Sequence, residues 1–206
     1  MLQERLIETA IREFGLLGFD GASTRDIARA SDTAMSSITY HFGGKEGLYL
    51  ACADHIAARI AERHASAIEL ASDAAALDRK TAIERCLIIV DGFAQTMIHP
   101  DSENWSRFIV REQQAPTEAF ERLYLGAMKG VMDGFSALVA HARPDLPPRE
   151  HRAMTMLIFG QTLVLRAARA AVCKALGTDQ LGERESSLLR KQIRANSLAI
   201  LSGGTE

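Results

Sequence analysis

The sequence predicts an all-α protein in which a three-helix helix-turn-helix domain precedes a larger helical domain. Apolar residues recur at intervals of three and four along most of the 206 residues, which is the pattern of amphipathic helices. No segment alternates apolar and polar residues as a half-buried strand does. Three helical patterns fall within the first 42 residues, and the last two are short and are joined by a tight turn. That arrangement indicates a helix-turn-helix unit.

The composition is that of a globular protein. Apolar residues make up 47% and charged residues 24% of the chain, so it can bury a core and is not expected to be disordered. No apolar stretch is long enough to span a bilayer, and an acidic residue at position 4 is unlike a signal peptide. Three widely spaced cysteines suggest a reducing compartment rather than a disulfide framework. We therefore expect a cytoplasmic protein with no membrane segment.

The boundaries of the first three helices follow from turn and capping residues. The first helix is predicted to end in the turn Gly18–Gly21, and the second to start with a capping box at residues 23–26. In the next turn Asp32 tolerates a left-handed backbone, and Thr33 is expected to cap the third helix. The pair Gly43-Gly44 ends that helix.

Further helices are expected in the rest of the chain. Prolines and glycines separate them. They are predicted over residues 45–72, 78–98, 102–114, 117–141, 149–176 and 183–202. On this basis we divide the chain into a helix-turn-helix domain, residues 1–47, and a second helical domain, residues 48–206.

Residues 24–48 suggest contact with DNA. The second helix of such a unit needs a small, polar front end to enter the major groove, and residues following it can reach phosphates. The alternative is an ordinary surface turn and helix, and the charge does not decide, since residues 1–50 hold five basic and seven acidic side chains. The candidate DNA contacts are Thr24, Arg25, Met35, Ser36, Ser37, Thr39, Tyr40, His41 and Lys45.

The run from Tyr40 to Leu48, YHFGGKEGL, resembles the N-terminal signature of the TetR family of one-component transcriptional regulators. The likeness extends over residues 4–60, although the turn Ser31–Ala34 departs from the usual Ala-Gly-Val-Ser. The resemblance implies a two-fold dimer that binds a palindromic double-stranded DNA operator. Such symmetry requires two recognition helices about 34–36 Å apart.

Residues 105–117 resemble the Arg-Glu-x-x-x-Pro segment of the CerR/YbiH-type subgroup of that family. This resemblance implies a regulator of efflux or drug-sensitivity genes, and we expect a repressor that an unidentified small-molecule effector releases. Apolar and polar side chains that could line an effector pocket are Trp105, Phe108, Arg111, Glu112, Phe120, Tyr124, Gln161 and Arg166. Alternatively, Arg111 and Glu112 form a pair that braces two helices, and Gln161 and Arg166 belong to a dimer interface.

The last two predicted helices, 149–176 and 183–202, carry more apolar surface than one helical layer needs. Pairing with a second copy would bury this surface in a four-helix bundle, so we expect a homodimer. We further hypothesise that tilting of the long helix from Lys45 changes the separation of the two reading helices. No nucleophile–base pair, phosphate loop or metal-ligand spacing is present, so neither enzyme activity, nor a cofactor, nor a metal is expected. The remaining alternative is a helical adaptor with reduced DNA binding that acts through protein partners.

Overall fold

The computed structural model describes residues 2–72 and 77–203, and over these ranges the chain forms helices joined by short turns. A 3-10 turn occupies Pro100–Ser102, and a π-helical turn occupies Tyr124–Met128. The α-helices are α1 (Leu2–Gly21), α2 (Thr24–Ala30), α3 (Met35–Phe42), α4 (Lys45–Arg63), α5 (Ala65–Ser72), α6 (Arg79–Ile98), α7 (Glu103–Gln114), α8 (Glu118–Leu123), α9 (Lys129–Ala142), α10 (Pro148–Ala167), α11 (Arg169–Leu176) and α12 (Glu183–Ser202). The prediction of an all-α protein is confirmed.

The helices pack as two compact units. The first unit comprises Met1–Arg63 and Glu103–Met128, and the second comprises His64–Ser102 and Lys129–Glu206. Helix α7 therefore packs with the N-terminal helices although it lies near the middle of the chain. The functional division at residues 47 and 48 stays a prediction.

In the first unit, α1 packs on α7 and α4, and α4 packs on α8. Gly15 allows α1 and α7 to approach closely, because a Cβ atom at this position would lie 3.1 Å from the Asn104 carbonyl oxygen. The core consists of fully buried apolar side chains from these four helices and from α2 and α3. Its largest members are Leu6, Phe14, Ile27, Ile38, Leu48, Ile56, Phe108 and Leu123.

In the second unit, α6 contacts α9, α10 and α12. The core residues around α6 include Leu87, Val90, Phe135, Leu138, Ile158 and Leu165. The Arg190 guanidinium joins α12 to α6 through two hydrogen bonds to the Asp91 carboxylate, one of which measures 2.7 Å. This pair holds the C-terminal helix against the centre of the unit.

Three of the predicted helices are interrupted, and the continuous forms were wrong. The helix predicted over residues 45–72 breaks at His64, whose buried ring stacks on Phe93 at 3.8 Å. The helix predicted over residues 117–141 contains the π-helical turn, where a Cβ atom on Gly126 would approach the Ala57 Cβ to 2.9 Å. At both breaks the chain packs tightly against another helix, and the spacing of apolar residues in the sequence does not indicate such contacts.

The third interruption bends the predicted helix 149–176 by 81° between α10 and α11. Arg166 and Arg169 flank the bend and donate hydrogen bonds to the carbonyl oxygens of His99 and Ile98 at the end of α6. The last carbonyl oxygens of a helix have no hydrogen-bond donor within the helix, and here the two guanidinium groups act as those donors. Among the described helices, none alone has the length and apolar character to cross a membrane, and the bent pair α10–α11 meets that criterion only jointly.

Candidate DNA-binding surface

Helices α2 and α3 meet at a tight turn that the first unit holds in place. Asp32 adopts a left-handed backbone with φ of 49°, as expected. The Thr33 amide donates to the Ala28 carbonyl oxygen at 3.0 Å, which closes the turn. On α2, Ile27 and Ala28 are buried, so the helix is fixed by its apolar face.

Two expectations about capping were wrong. Ser23 occupies the N-cap of α2, but its side chain accepts no hydrogen bond there, and Asp26 instead pairs with Arg29 at 2.6 Å. Ala34, not Thr33, is the N-cap of α3. The Thr33 hydroxyl donates to the Ser37 hydroxyl at 3.1 Å, because it lies one helical turn away from it.

Helix α3 presents nearly all of its surface to solvent. Within this helix only Ile38 is buried, and Phe42, its last residue, packs partly buried against the core. Tyr40 is 85% exposed and Met35 is 55% exposed. The other predicted contacts on this helix are exposed (Ser36, Thr39) or half-buried (Ser37, His41). The helix is thus anchored by its inner face and free to enter a groove with its outer face.

The remaining predicted contacts flank α3. Arg25 is exposed at the start of α2, beside the half-buried Thr24. The Lys45 ammonium lies 4.7 Å above the centre of the Phe19 ring and donates to the Asp20 carbonyl oxygen at 3.4 Å. A cation held over an aromatic face in this way has a restricted position at the start of α4.

The junction of α3 and α4 depends on two glycines. Gly43 ends α3 in the left-handed conformation with φ of 75°, which confirms the predicted helix end. Gly47 lies against the end of α3, where a Cβ atom would come within 1.8 Å of the Phe42 carbonyl oxygen. Only glycine allows the two helices to meet at this distance.

Sequence reasoning missed two side chains of α1 that support the reading helix. Arg5 donates to the Ser31 carbonyl oxygen at 2.7 Å and so ties the turn to α1. The Gln3 side-chain nitrogen lies 3.0 Å from the His41 ring nitrogen. Neither contact had a signal in the sequence, because the partners are 26 and 38 positions apart.

The predicted effector-pocket residues of the first unit have partners within that unit. Phe108 is fully buried in the core, and Trp105 packs partly buried against it. Arg111 donates to the carbonyl oxygens of Gly15 and Leu16 at 2.9 and 2.7 Å. Arg111 thus braces α7 against α1 through backbone carbonyls rather than through the predicted pair with Glu112, and a pocket role stays a prediction.

Glu112 is the most buried of the predicted pocket residues with a charge, at 2% exposure. Its carboxylate accepts hydrogen bonds from the Tyr49 hydroxyl at 2.6 Å and from the Thr117 hydroxyl at 2.8 Å. Burial and the hydrogen bond to Glu112 raise the pKa of Tyr49 well above its ordinary value, so Tyr49 stays protonated and donates. Phe120 and Tyr124, also predicted for the pocket, stack on each other at 6.0 Å.

The other two pocket candidates lie in the second unit on α10. The Gln161 side-chain nitrogen is buried and has no hydrogen-bond partner among the described residues. Arg166 binds the end of α6, as described above. A separate groove of about 440 Å³ between α6 and α12 contains none of the eight candidates, and its lining residues are Arg79, Lys80, Ile83, Glu84, Leu87, Arg194 and Leu198. Over the part of the chain that the structure describes, no three His, Cys, Asp or Glu side chains are grouped to hold a metal ion.

A helix anchored by one buried residue behind a tight two-helix turn defines the class of helix-turn-helix DNA-binding proteins. The family model for bacterial regulatory proteins of the tetR family matches residues 6–52. The model for the C-terminal domain of the HTH-type transcriptional dual regulator CecR matches residues 82–204. The chain belongs to the TetR family and carries the CecR C-terminal domain. Both resemblances seen in the sequence are confirmed, and the chain is a DNA-binding transcriptional regulator rather than an enzyme.

Curated and solved relatives agree with this assignment. The HTH-type transcriptional dual regulator CecR of Shigella flexneri is 29% identical over 206 residues, covering 98% of this chain and 92% of that protein. The crystal structure of AibR in complex with isovaleryl coenzyme A and operator DNA matches with a TM-score of 0.67 at 16% identity, covering 100% of both chains. FadR of Bacillus subtilis in complex with stearoyl-CoA matches with a TM-score of 0.62 at 14% identity, covering 98% of this chain and 99% of that one. The two structures support the fold.

Proposed function

We propose that the protein is a repressor that binds a palindromic operator as a homodimer and that a small-molecule effector releases. The observation that carries this proposal is the exposure of α3, which is anchored through Ile38 and leaves Met35, Ser36 and Tyr40 open to solvent. In this proposal residues 1–47 read the DNA, and residues 48–206 bind the effector and the second copy. The cytoplasmic location expected from the three free cysteines belongs to the same proposal.

In the proposed complex with DNA, the small side chains at the start of α3 contact base edges. The hydroxyls of Ser36 and Ser37 can both donate and accept hydrogen bonds in the major groove. Lys45, Tyr40 and Arg25 are proposed to contact phosphates, which provide affinity without sequence preference.

The proposed dimer uses α10, α11 and α12. Large apolar side chains of these helices are exposed in the single chain, and a second copy packed on these helices would cover them. They are Met156, Leu157, Leu163, Val164, Leu176, Leu188 and Leu198. Burying them against a second copy would remove this apolar surface from water.

A matched pair of substitutions tests the dimer by light scattering after size exclusion. Leu157 in α10 is 71% exposed, and Leu125 in the first unit is 65% exposed. We expect a dimeric wild type, a monomeric Leu157→Glu protein and a dimeric Leu125→Glu protein. A Leu157→Glu protein that remains dimeric would place the interface elsewhere.

The effector is proposed to be a small organic molecule, and acyl-CoA esters are the class to test first. The crystal structures of AibR and of FadR from Bacillus subtilis contain isovaleryl coenzyme A and stearoyl-CoA, respectively. Regulation of efflux or drug-sensitivity genes remains part of the proposal. An effector acts only through a difference in affinity between the free and the DNA-bound states.

Fluorescence anisotropy on the protein's own upstream DNA and on a scrambled sequence, at two salt concentrations, tests DNA binding. We expect tight, salt-sensitive binding that prefers the native site. Lys45→Ala should weaken binding to every sequence and reduce the salt slope by about one phosphate contact. Lys80→Ala, in the second unit, is the control, and it should change neither the affinity for DNA nor the salt slope. If no DNA obtained by random-sequence selection binds, the adaptor that acts through protein partners replaces this proposal.

A further inference from the structure

Two adjacent residues of α7 hold the helices that carry the DNA-binding surface. Arg111 binds the carbonyl oxygens of Gly15 and Leu16 on α1, and Glu112 binds the Tyr49 hydroxyl on α4. Both contacts lie within the first unit. Helix α7 thus fixes α1 and α4 relative to each other from a single turn.

The Glu112 carboxylate is a buried charge whose position is determined by its donors. Oε1 accepts from the Tyr49 hydroxyl at 2.6 Å, and Oε2 accepts from the Thr117 amide at 3.1 Å and the Thr117 hydroxyl at 2.8 Å. A buried carboxylate costs much free energy unless it is hydrogen-bonded in this manner. The three donors offset this cost and fix the carboxylate in the core of the first unit.

The ring of Tyr49 transmits this fixed position to the end of α1. It packs edge-on against Phe14 at 4.8 Å and Phe19 at 5.1 Å, and it faces Phe108 at 4.6 Å. Phe19 follows Gly18, whose backbone has φ of 79° and ψ of 175° and interrupts the regular helix. The Phe19 ring lies just beyond this interruption, where it contacts Tyr49 and also stacks on Phe14 at 6.2 Å.

Phe19 in turn contacts the side chain of Lys45. The ammonium lies 4.7 Å from the centre of the Phe19 ring, and it donates to the Asp20 carbonyl oxygen at 3.4 Å. A contiguous series of contacts thus runs from Glu112 through Tyr49 and Phe19 to Lys45.

We infer that Glu112 is a positioning residue for DNA binding, which acts through Tyr49 and Phe19 to hold Lys45 where it meets a phosphate. This inference rests on the proposed DNA-binding function. Arg111 supports the same segment, since its guanidinium lies next to Gly18 and binds the carbonyl oxygens of Gly15 and Leu16.

A double-mutant cycle between Glu112 and Lys45 tests the inference through operator affinity. Glu112→Ala leaves the Tyr49 hydroxyl without its partner and should lower the affinity about threefold or more. In the Lys45→Ala background the same substitution should change the affinity by less than about 1.5-fold, because the group it positions is gone. Additive losses in the two backgrounds would overturn the inference.

Two further variants separate positioning from stability. Glu112→Gln keeps the shape, since its carbonyl oxygen can accept from Thr117 and its amide can donate to the Tyr49 oxygen, so it should restore the affinity to within about twofold of wild type. Leu123→Ala removes a core side chain of the same unit and should lower the melting temperature without coupling to Lys45. A Glu112→Gln protein as weak as Glu112→Ala would contradict the inference.

A readout without DNA distinguishes this inference from the proposed function. The Phe19 ring current should shift the Lys45 side-chain methylene protons in the NMR spectrum of the wild type. We expect this shift to be retained in Glu112→Gln and lost in Glu112→Ala. An unchanged shift in Glu112→Ala overturns the positioning role, whereas a wild type that keeps the shift but binds no DNA overturns the proposed function.

Discussion

The junction of α3 and α4 offers a sharp test of the structure, because it tolerates no side chain at Gly47. A Cβ atom there would lie 1.8 Å from the Phe42 carbonyl oxygen and 3.0 Å from the Phe42 carbonyl carbon. Carbon and oxygen in contact are about 3.3 Å or more apart, so Gly47→Ala must separate the two helices by about 1.5 Å. The neighbouring atoms are backbone atoms, and rotation of a side chain cannot relieve the overlap.

We expect Gly47→Ala to destabilise the protein by about 1–3 kcal/mol, the usual cost of overpacking. Alanine is favoured over glycine in a helix by about 0.5–1 kcal/mol, which offsets part of that cost. In a protein of this size each kcal/mol lowers the melting temperature by about 2–4 °C. The displacement also moves α3, so operator affinity should fall more than the stability alone explains.

Gly92→Ala is the matched control, since Gly92 lies inside α6 and a Cβ atom there would meet nothing within 4 Å. It should leave stability unchanged or raise it slightly, with no effect on operator affinity. Thermal unfolding followed by circular dichroism, together with anisotropy on operator DNA, measures both effects. Equal melting temperatures and equal affinities for the two variants would refute the reasoning.

Three further predictions concern other contacts. Arg5→Ala removes the hydrogen bond to the Ser31 carbonyl oxygen, so the turn before α3 loosens and operator affinity falls with little change in melting temperature. Arg143 lowers the pKa of Asp145 from 3.8 to about 2, so ionised Asp145 stabilises the fold above about pH 4 and this contribution is lost as the pH falls through about 2. Asp145→Asn should therefore lose less stability between pH 4 and pH 2 than wild type does. Ser36→Ala should change which base pairs are preferred at one operator position, as read by binding to a set of single-base variants.

Each of these predictions has an outcome that contradicts it. For the turn, Arg12→Ala on the same helix is the control, and an equal loss of affinity in both variants would show that Arg5 has no special role. For the acid range, unfolding free energies that fall equally steeply in Asp145→Asn and wild type would rule out the contribution of Asp145. For α3, a uniform loss across all operator variants would assign Ser36 to phosphate rather than base contact.

The reading unit could be predicted from the sequence because its determinants are local. Glycine at position 43 ended α3 with a left-handed backbone, and Asp32 adopted the left-handed conformation expected in the turn. Helical periodicity likewise located α6, α7 and α12 to within a residue or two. The side-chain caps were wrong where a competing partner was present, as when Asp26 paired with Arg29.

The roles of the predicted pocket residues were less predictable, since apolar and charged side chains near one another in sequence suit a pocket and a brace equally well. The structure provides partners for Arg111 and Glu112 in α1, α4 and at the start of α8. The same pattern of residues would have looked identical had these side chains lined a cavity.

The sequence by itself determined the all-α fold class, the helix-turn-helix signature and the family, because hydrophobic period, turn glycines and motif spacing are properties of neighbouring residues. It did not determine where three of the long helices break. The tertiary structure decided which side chains meet. The Tyr49–Glu112 contact joins residues 63 positions apart, and the Arg111–Gly15 contact joins residues 96 positions apart. Such contacts depend on how helices pack, and packing follows from the shape of the whole core rather than from any local pattern.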